Sequence, residues 1–246
     1  MGFVNNVAGR MLTAFARRSL GAFKESRLRW VFRHANIAWT HLLQASVAQV
    51  ISYYEVTAGV LVLDDSDKVR SRNTSKIAGV HKVKDKKTGG WFNGQEFIFL
   101  ILVTGLVTIP VGFRFYTPDP ALKAWKKTNK DEKKTGILAK DRTKRPEPNP
   151  AYPSKQALAL ELLESFSKNH PSVRVQAVLA DALYGNAAFM DEAAKLTSCT
   201  QVISQLRKNQ LVRSRGKNIP LTVYFSRSSG VVTTLFIRGG EANAVT

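Results

Sequence analysis

Acidic side chains are scarce: 18 Asp+Glu face 37 Lys+Arg in 246 residues, a formal net charge of +19 with a pI near 10.3. Self-repulsion on this scale calls for a polyanionic partner, nucleic acid first and an anionic membrane surface second. A membrane surface would favour the charge on one amphipathic helix beside exposed apolar residues, whereas here it is spread over several segments. Cysteine is almost absent. With Cys199 alone no internal disulfide can form, and a reducing, cytoplasmic compartment is the expected home. Histidine is sparse too, and His34 and His41, seven apart on one helical face, lack the Cys or acidic neighbours of a metal site. Long apolar runs are missing. The most apolar stretch, Phe97 to Phe113, is broken by Gly105, Pro110 and Gly112, while a membrane span needs about twenty residues. It is better explained as two strands, Glu96 to Thr104 and Thr108 to Tyr116, around a turn at Gly105. The first thirty residues carry Arg10, Arg17, Arg18, Lys24, Arg27 and Arg29 and show no signal-peptide pattern, so no membrane association is expected.

What the chain does have is organised around Val60-Leu61-Val62-Leu63-Asp64-Asp65-Ser66-Asp67-Lys68, where an aliphatic run meets three carboxylates within four positions. Four consecutive Val/Leu residues predict a strand covered on both faces, ending where the acids begin. A second strand, Val173 to Asp181, ends the same way, and the odd-numbered positions Val173, Val175, Ala177 and Leu179 place Asp181 on the parity of the apolar face. Two strand ends then deliver two aspartates to one place. Asp64 and Asp65 are not separable at this level, because adjacent strand residues point to opposite faces and only one of them can share a site with Asp181. Asp67 shares the parity of Asp65.

Around these strands the pattern is mixed. Residues 1–54 read as a basic helical region, with one helix from Arg27 to Tyr54. Residues 55–210 read as the core, and 211–246 as a β-rich segment with strands at Leu211 to Ser214, Leu221 to Arg227 and Val231 to Arg238. From Lys68 to Gly90 a basic loop is expected, whose Lys68, Arg70, Arg72, Lys82, Lys84, Lys86 and Lys87 suit a phosphodiester backbone. Residues 117–154, proline at both ends and lysine between, read as a loop or linker. Ser154 and Asn186 are predicted to cap helices on either side of the Asp181 strand, and Gln201 to Leu206 reads as another buried strand.

The blocks Val62-Leu63-Asp64-Asp65-Ser66-Asp67-Lys68, Phe99-Leu100-Ile101-Leu102-Val103 with Ile109 to Tyr116, and Leu179-Ala180-Asp181-Ala182-Leu183-Tyr184-Gly185 together resemble the first two catalytic blocks of DDE transposases of bacterial insertion sequences. The resemblance covers about residues 55 to 240. It implies an α/β, ribonuclease H-like mixed sheet with flanking helices, and two divalent ions, Mg²⁺ or Mn²⁺, roughly 3.5–4 Å apart, held by three carboxylates. By resemblance Asp64 is the first acid and Asp181 the second, catalytic and metal-holding together, and DNA at transposon ends and target is the partner. Relatives that pair two ends are expected to work as homodimers or larger assemblies. The third acid of the family, a glutamate on a helix after a β-rich insertion, has no clear counterpart. Glu241 follows a glycine turn, and Glu192 reads as an exposed helix residue. A truncated, inactive transposase is therefore the expectation. The rival from another class is a non-catalytic nucleic-acid-binding protein that uses the same basic segments.

Overall fold

The structure, a computed structural model, describes residues 24–245 apart from 71–76, 86, 206–209, 228–231 and 238–239, with Thr13, Ala16, Arg17 and Ala22 before them. Side chains are described as far as residue 227, except that of Phe32. Six strands form one mixed sheet: β1 (Ala58–Val69), β2 (His81–Lys84), β3 (Trp91–Val103), β4 (Thr108–Tyr116), β5 (Arg174–Ala180) and β6 (Val202–Ser204). The path runs β2-β3-β1-β5-β6, with β4 also on β3; β1, β5 and β6 are parallel and the β1–β3, β2–β3 and β3–β4 pairs antiparallel. That is a ribonuclease H-like arrangement. The helices in chain order are α1 (Glu25–His34), α2 (Trp39–Tyr53), α3 (Pro120–Lys134), α4 (Lys155–Asn169) and α5 (Ala187–Thr197), of which α2, α4 and α5 pack against the sheet, and the short α6 (Leu221–Arg227) follows the hairpin β7 (Leu211–Ser214) and β8 (Lys217–Pro220). A second hairpin, β9 (Val232–Ile237) with β10 (Gly240–Val245), ends the order.

The core lies on one face of the sheet. Leu61, Leu63, Ile98, Leu100 and Leu102 bury fully against Leu158, Leu162, Leu163 and Phe166 of α4, Phe189 of α5, and Val47 and Ile51 of α2. Each such side chain contributes roughly 1.5–3 kcal/mol by leaving water. Gly112 lets α4 approach, since a Cβ there would stand 2.8 Å from Leu162 Cδ2. The predicted caps hold: Ser154 Oγ accepts from Ala157 N and Asn186 Oδ1 from Phe189 N. The predicted strand pair at Gly105 is β3 with β4, turned by Thr104 and Val107, and Pro110 is tolerated because β4 pairs on one side alone. Among the described residues no helix is long and apolar enough to cross a membrane.

Several expectations are corrected. The aliphatic run of β1 is covered on one face, with Leu61 and Leu63 buried and Val60 and Val62 half-buried. Nor does the strand stop at its acids; it continues to Val69 because β3 is long enough to pair with it as far as Gly94. The loop from Lys68 to Gly90 contains β2. The supposed linker 117–154 holds a fifteen-residue helix, because Pro120 sits at the first turn, where its missing N–H is not needed, and Asp119 caps Ala121 N. The single helix of residues 27–54 is broken at 35–38, around Asn36, whose amide competes with helical hydrogen bonds. Leu221 to Arg227 is helical: after Pro220 closes β8 no strand among the described residues pairs with it, and Leu221 buries at helical spacing from half-exposed Tyr224 and Phe225. Of the buried strand expected over Gln201 to Leu206, Val202–Ser204 is a strand with Ile203 exposed, and Leu206 lies outside the described residues.

Candidate carboxylate site

The alternation along β5 slips by one residue. Its register against β1 runs Ala58↔Arg174 and Gly59↔Val175, then jumps to Val60↔Ala177, Leu61↔Val178, Val62↔Leu179 and Leu63↔Ala180. A one-residue slip turns every later side chain to the other face. Val178, fully buried beside Leu61, is therefore the inward residue, and Asp181 falls on the outer face with Leu179, not on the parity of the buried Val175. This corrects the expected parity. The pairing ends at Leu63↔Ala180, and Asp64 and Asp181 are each the next residue beyond it, so continuing the register favours Asp64 over Asp65 as the neighbour of Asp181, with the strands about 4.8 Å apart. Both are exposed.

The two carboxylates differ from Asp65 in their partners. The Asp64 carboxylate makes no hydrogen bond or ion pair among the described residues, whereas Asp181 Oδ1 accepts from Leu183 N at 2.8 Å. The Asp181 carbonyl takes Ser204 Oγ at 2.6 Å and Tyr184 N at 3.1 Å, which pins the residue just past the end of β5. Asp65 points the other way, toward α4, where Oδ1 accepts from Tyr184 OH at 2.5 Å and Oδ2 from Lys155 Nζ at 2.7 Å. Lys155 Nζ also donates to Glu96 Oε1 at 2.8 Å, and Glu96 Oε2 lies 2.8 Å from His81 Nε2. The same ammonium sits 5.2 Å from the centroid of the Tyr116 ring. A polar chain from β2 through β3, α4 and β1 to the loop after β5 thus closes the end of the core next to the Asp64–Asp181 pair.

The electrostatics follow from this packing. Burial favours the neutral amine at Lys155, but its bonds to Asp65 and Glu96 outweigh that and hold its pKa above the ordinary value. Burial pushes the Glu96 carboxyl up, and the hydrogen bonds from Lys155 and His81 bring it below the ordinary carboxylate value. The Tyr184 phenol is raised far beyond its usual range by burial and by its bond to Asp65, with Asp181 and Asp64 adding negative potential. Tyr184 is fully buried and is a fixed donor rather than a base.

Residues 6–231 match the family described as DDE superfamily endonuclease. The chain belongs to that family. No match was found among curated proteins or among solved structures. DDE superfamily endonucleases act on DNA and generally use divalent ions, and in this member the donors present fit a hard cation: two exposed carboxylates, each one residue past the last β1–β5 pair, one of them without a side-chain partner among the described residues. Among the described residues no group of three or more His, Cys, Asp or Glu is disposed to hold a metal. Glu192 pairs with Lys195 at 3.7 Å on α5, and Glu241 lies on β10 opposite Phe236, on a strand rather than a helix, its side chain outside the described residues.

Of the basic residues singled out from the sequence, Lys68, Lys82 and Lys84 are brought by register to the face of Asp64, exposed, beside exposed Trp91. Lys68 lies four residues beyond Asp64, about 13 Å along the strand. Arg70 is committed instead, its Nε donating to Gln95 Oε1 at 2.8 Å. Lys87 is exposed in the β2–β3 turn, and Arg72 and Lys86 lie outside the described residues. Sequence reasoning missed Lys155, Glu96, His81 and the role of Tyr184. Only Tyr184 left a signal, as the aromatic inside the Asp181 block.

Gly185 completes the site's frame. A Cβ there would stand 2.6 Å from the Gln205 carbonyl and 3.0 Å from Ser204 Oγ, the hydroxyl that holds Asp181. Gly185→Ala is expected to lower stability by about 1–3 kcal/mol through overpacking against backbone. Urea unfolding measures it; a change under about 0.5 kcal/mol, the scale of an ordinary surface substitution, would contradict the close approach.

Proposed function

We propose that this chain is a DDE-type transposase, cutting and joining phosphodiester bonds at the ends of a mobile DNA element, with Asp64 and Asp181 as its metal-holding carboxylates. The observation that supports the reading is a parallel β1–β5 register ending at Leu63↔Ala180, one residue before each of these acids, while Asp65 is held away by Lys155 and Tyr184. Divalent ions, Mg²⁺ or Mn²⁺, would supply Lewis-acid stabilisation of the phosphoryl group and a more acidic bound water or hydroxyl. The protein's share is geometric and electrostatic. Asp64 and Asp181 hold the charge in place, Tyr184 and Lys155 fix the strand segments that carry them, and Lys68, Lys82 and Lys84 receive backbone phosphates on the same face.

The test uses the full chain with a duplex bearing the element's ends, in Mg²⁺ or Mn²⁺ and again with chelator. Metal-dependent breaks carrying 3′-hydroxyl ends are expected, lost on chelation. DNA binding that survives chelation with no cleavage in any metal would instead establish a non-catalytic binding protein.

A further inference from the structure

We propose that α3 is a docking surface for duplex DNA, its lysine face lying along the phosphate backbone. The inference rests on the DNA substrate of the preceding reading but not on its metal chemistry. Lys123, Lys126, Lys127, Lys130, Lys133 and Lys134 recur at intervals of three and four, which puts all six on one side of the helix. All six are exposed, and none takes part in an ion pair among the described residues. Elsewhere the protein does pair its exposed helical lysines, Lys168 with Glu164 and Lys195 with Glu192. Like charges at i,i+4 weaken a helix, so an unrelieved lysine face is a cost in the free protein that an anion removes.

The opposite face explains why the helix persists. Leu122, Trp125, Asn129 and Glu132 are half-buried there, and the chain after α3 folds back against them. Trp125 Nε1 donates to the Thr143 carbonyl at 2.8 Å, while Glu132 accepts from Thr143 N at 3.1 Å and from its hydroxyl at 2.5 Å. The returning segment brings Lys140, Arg142, Lys144 and Arg145 with it, against the acids Asp119, Asp131, Glu132, Asp141 and Glu147 of the whole stretch. The result is a fixed basic platform rather than a loose arm.

Both ends of the platform are tied to the same place. The chain leaves β4 at Tyr116 and α4 begins at Lys155, whose ammonium sits over the Tyr116 ring and bonds Asp65, so α3 and the segment after it form one excursion anchored at the Asp65 end of the network. From Lys123 to Lys134 the face is about 16 Å long, and B-DNA presents a charge every ~1.7 Å of its axis, so several phosphates fall within reach at once. A duplex fits this rigid, evenly charged line.

The experiment compares the full chain with a variant carrying Lys123→Gln, Lys127→Gln, Lys130→Gln and Lys134→Gln. Anisotropy of a labelled 30-bp duplex is read in chelator over a range of salt. The slope of log affinity against log salt is expected to fall by about 2 to 4, at roughly 0.9 per lost phosphate contact, with at least ~10-fold weaker binding at 0.1 M salt for every sequence tried. Arginine at the same four positions keeps the charge and is expected to keep the slope, which separates phosphate contact from helix integrity. An unchanged slope in the glutamine variant overturns the proposal. So does a loss seen with phosphatidylserine vesicles or single-stranded RNA but not with the duplex. Retained, lysine-dependent duplex binding without cleavage would leave this surface standing and remove the catalytic reading alone.

Discussion

Asp64→Asn and Asp181→Asn are each expected to reduce metal-dependent DNA cleavage by at least ~10³-fold, because several kcal/mol of charge stabilisation depends on each ligand and every 1.36 kcal/mol is a factor of ten. Neither change should harm the fold. The two carboxylates are exposed and each one residue past the last β1–β5 pair, so removing one relieves like-charge repulsion, and the thermal midpoint should hold or rise slightly. Asp65→Asn is expected to behave in the opposite way. Its carboxylate is engaged by Lys155 and Tyr184, so its loss should lower stability while Mn²⁺ binding, followed by electron paramagnetic resonance, weakens by no more than the 10–100-fold typical of an outer contact. If Asp65→Asn abolished Mn²⁺ binding and Asp64→Asn left it intact, the assignment of the pair would be reversed and the β1–β5 register with it.

Lys155→Met is expected to destabilise the protein by about 3 kcal/mol, the lower end of what breaking a buried ion pair costs. The lower end applies because the Lys155, Asp65 and Glu96 side chains remain 21%, 17% and 23% exposed. The change leaves two partly buried carboxylates without their cation, whereas Lys168→Met, which breaks an exposed pair, should cost well under 1 kcal/mol. The pH dependence carries a sign that distinguishes the mechanism. In the wild type the Glu96 carboxyl is held below its ordinary 4.5, so its contribution is complete above that pH and is lost as pH falls through the folded value. Lys155 is held above its ordinary 10.5, so its contribution is complete below that pH and is lost as pH rises through the raised value. In Lys155→Met the hydrogen bond that lowers the Glu96 carboxyl most is gone, so the acid limb should flatten. Urea unfolding across pH reads both limbs; a Lys155→Met variant with wild-type stability and an unchanged acid limb would show that the network does not hold the site.

Much of the scaffold was legible in the chain because it rests on local rules. The Ser154 and Asn186 caps, the apolar stripe of α4 and the β3–β4 hairpin each need only neighbouring residues to explain them. The helix α3 was obscured by its composition. Six lysines and flanking prolines look like a linker until Asp119 is seen as a cap, Pro120 as a first-turn residue, and Trp125 and Glu132 as anchors for a segment eighteen and eleven residues away. Such contacts leave no periodicity to read. The same holds for Leu221 to Arg227, whose β-branched and aromatic residues suggest a strand but have no strand to pair with among the described residues.

By itself the sequence determined a basic, single-cysteine α/β chain with two aspartates at the ends of apolar runs, since charge balance and hydrophobic patterning are properties of the residues in order. What separates Asp64 from Asp65 is visible in tertiary structure alone. An unslipped register, continued past Ala180, would point Asp181 at Asp65; the irregularity after Gly59 shifts that continuation one step to Asp64, and Lys155 and Tyr184, from ninety and more positions away, hold Asp65 on the opposite face. Strand register depends on pairing between distant segments, and a slip of one residue reverses every side chain beyond it.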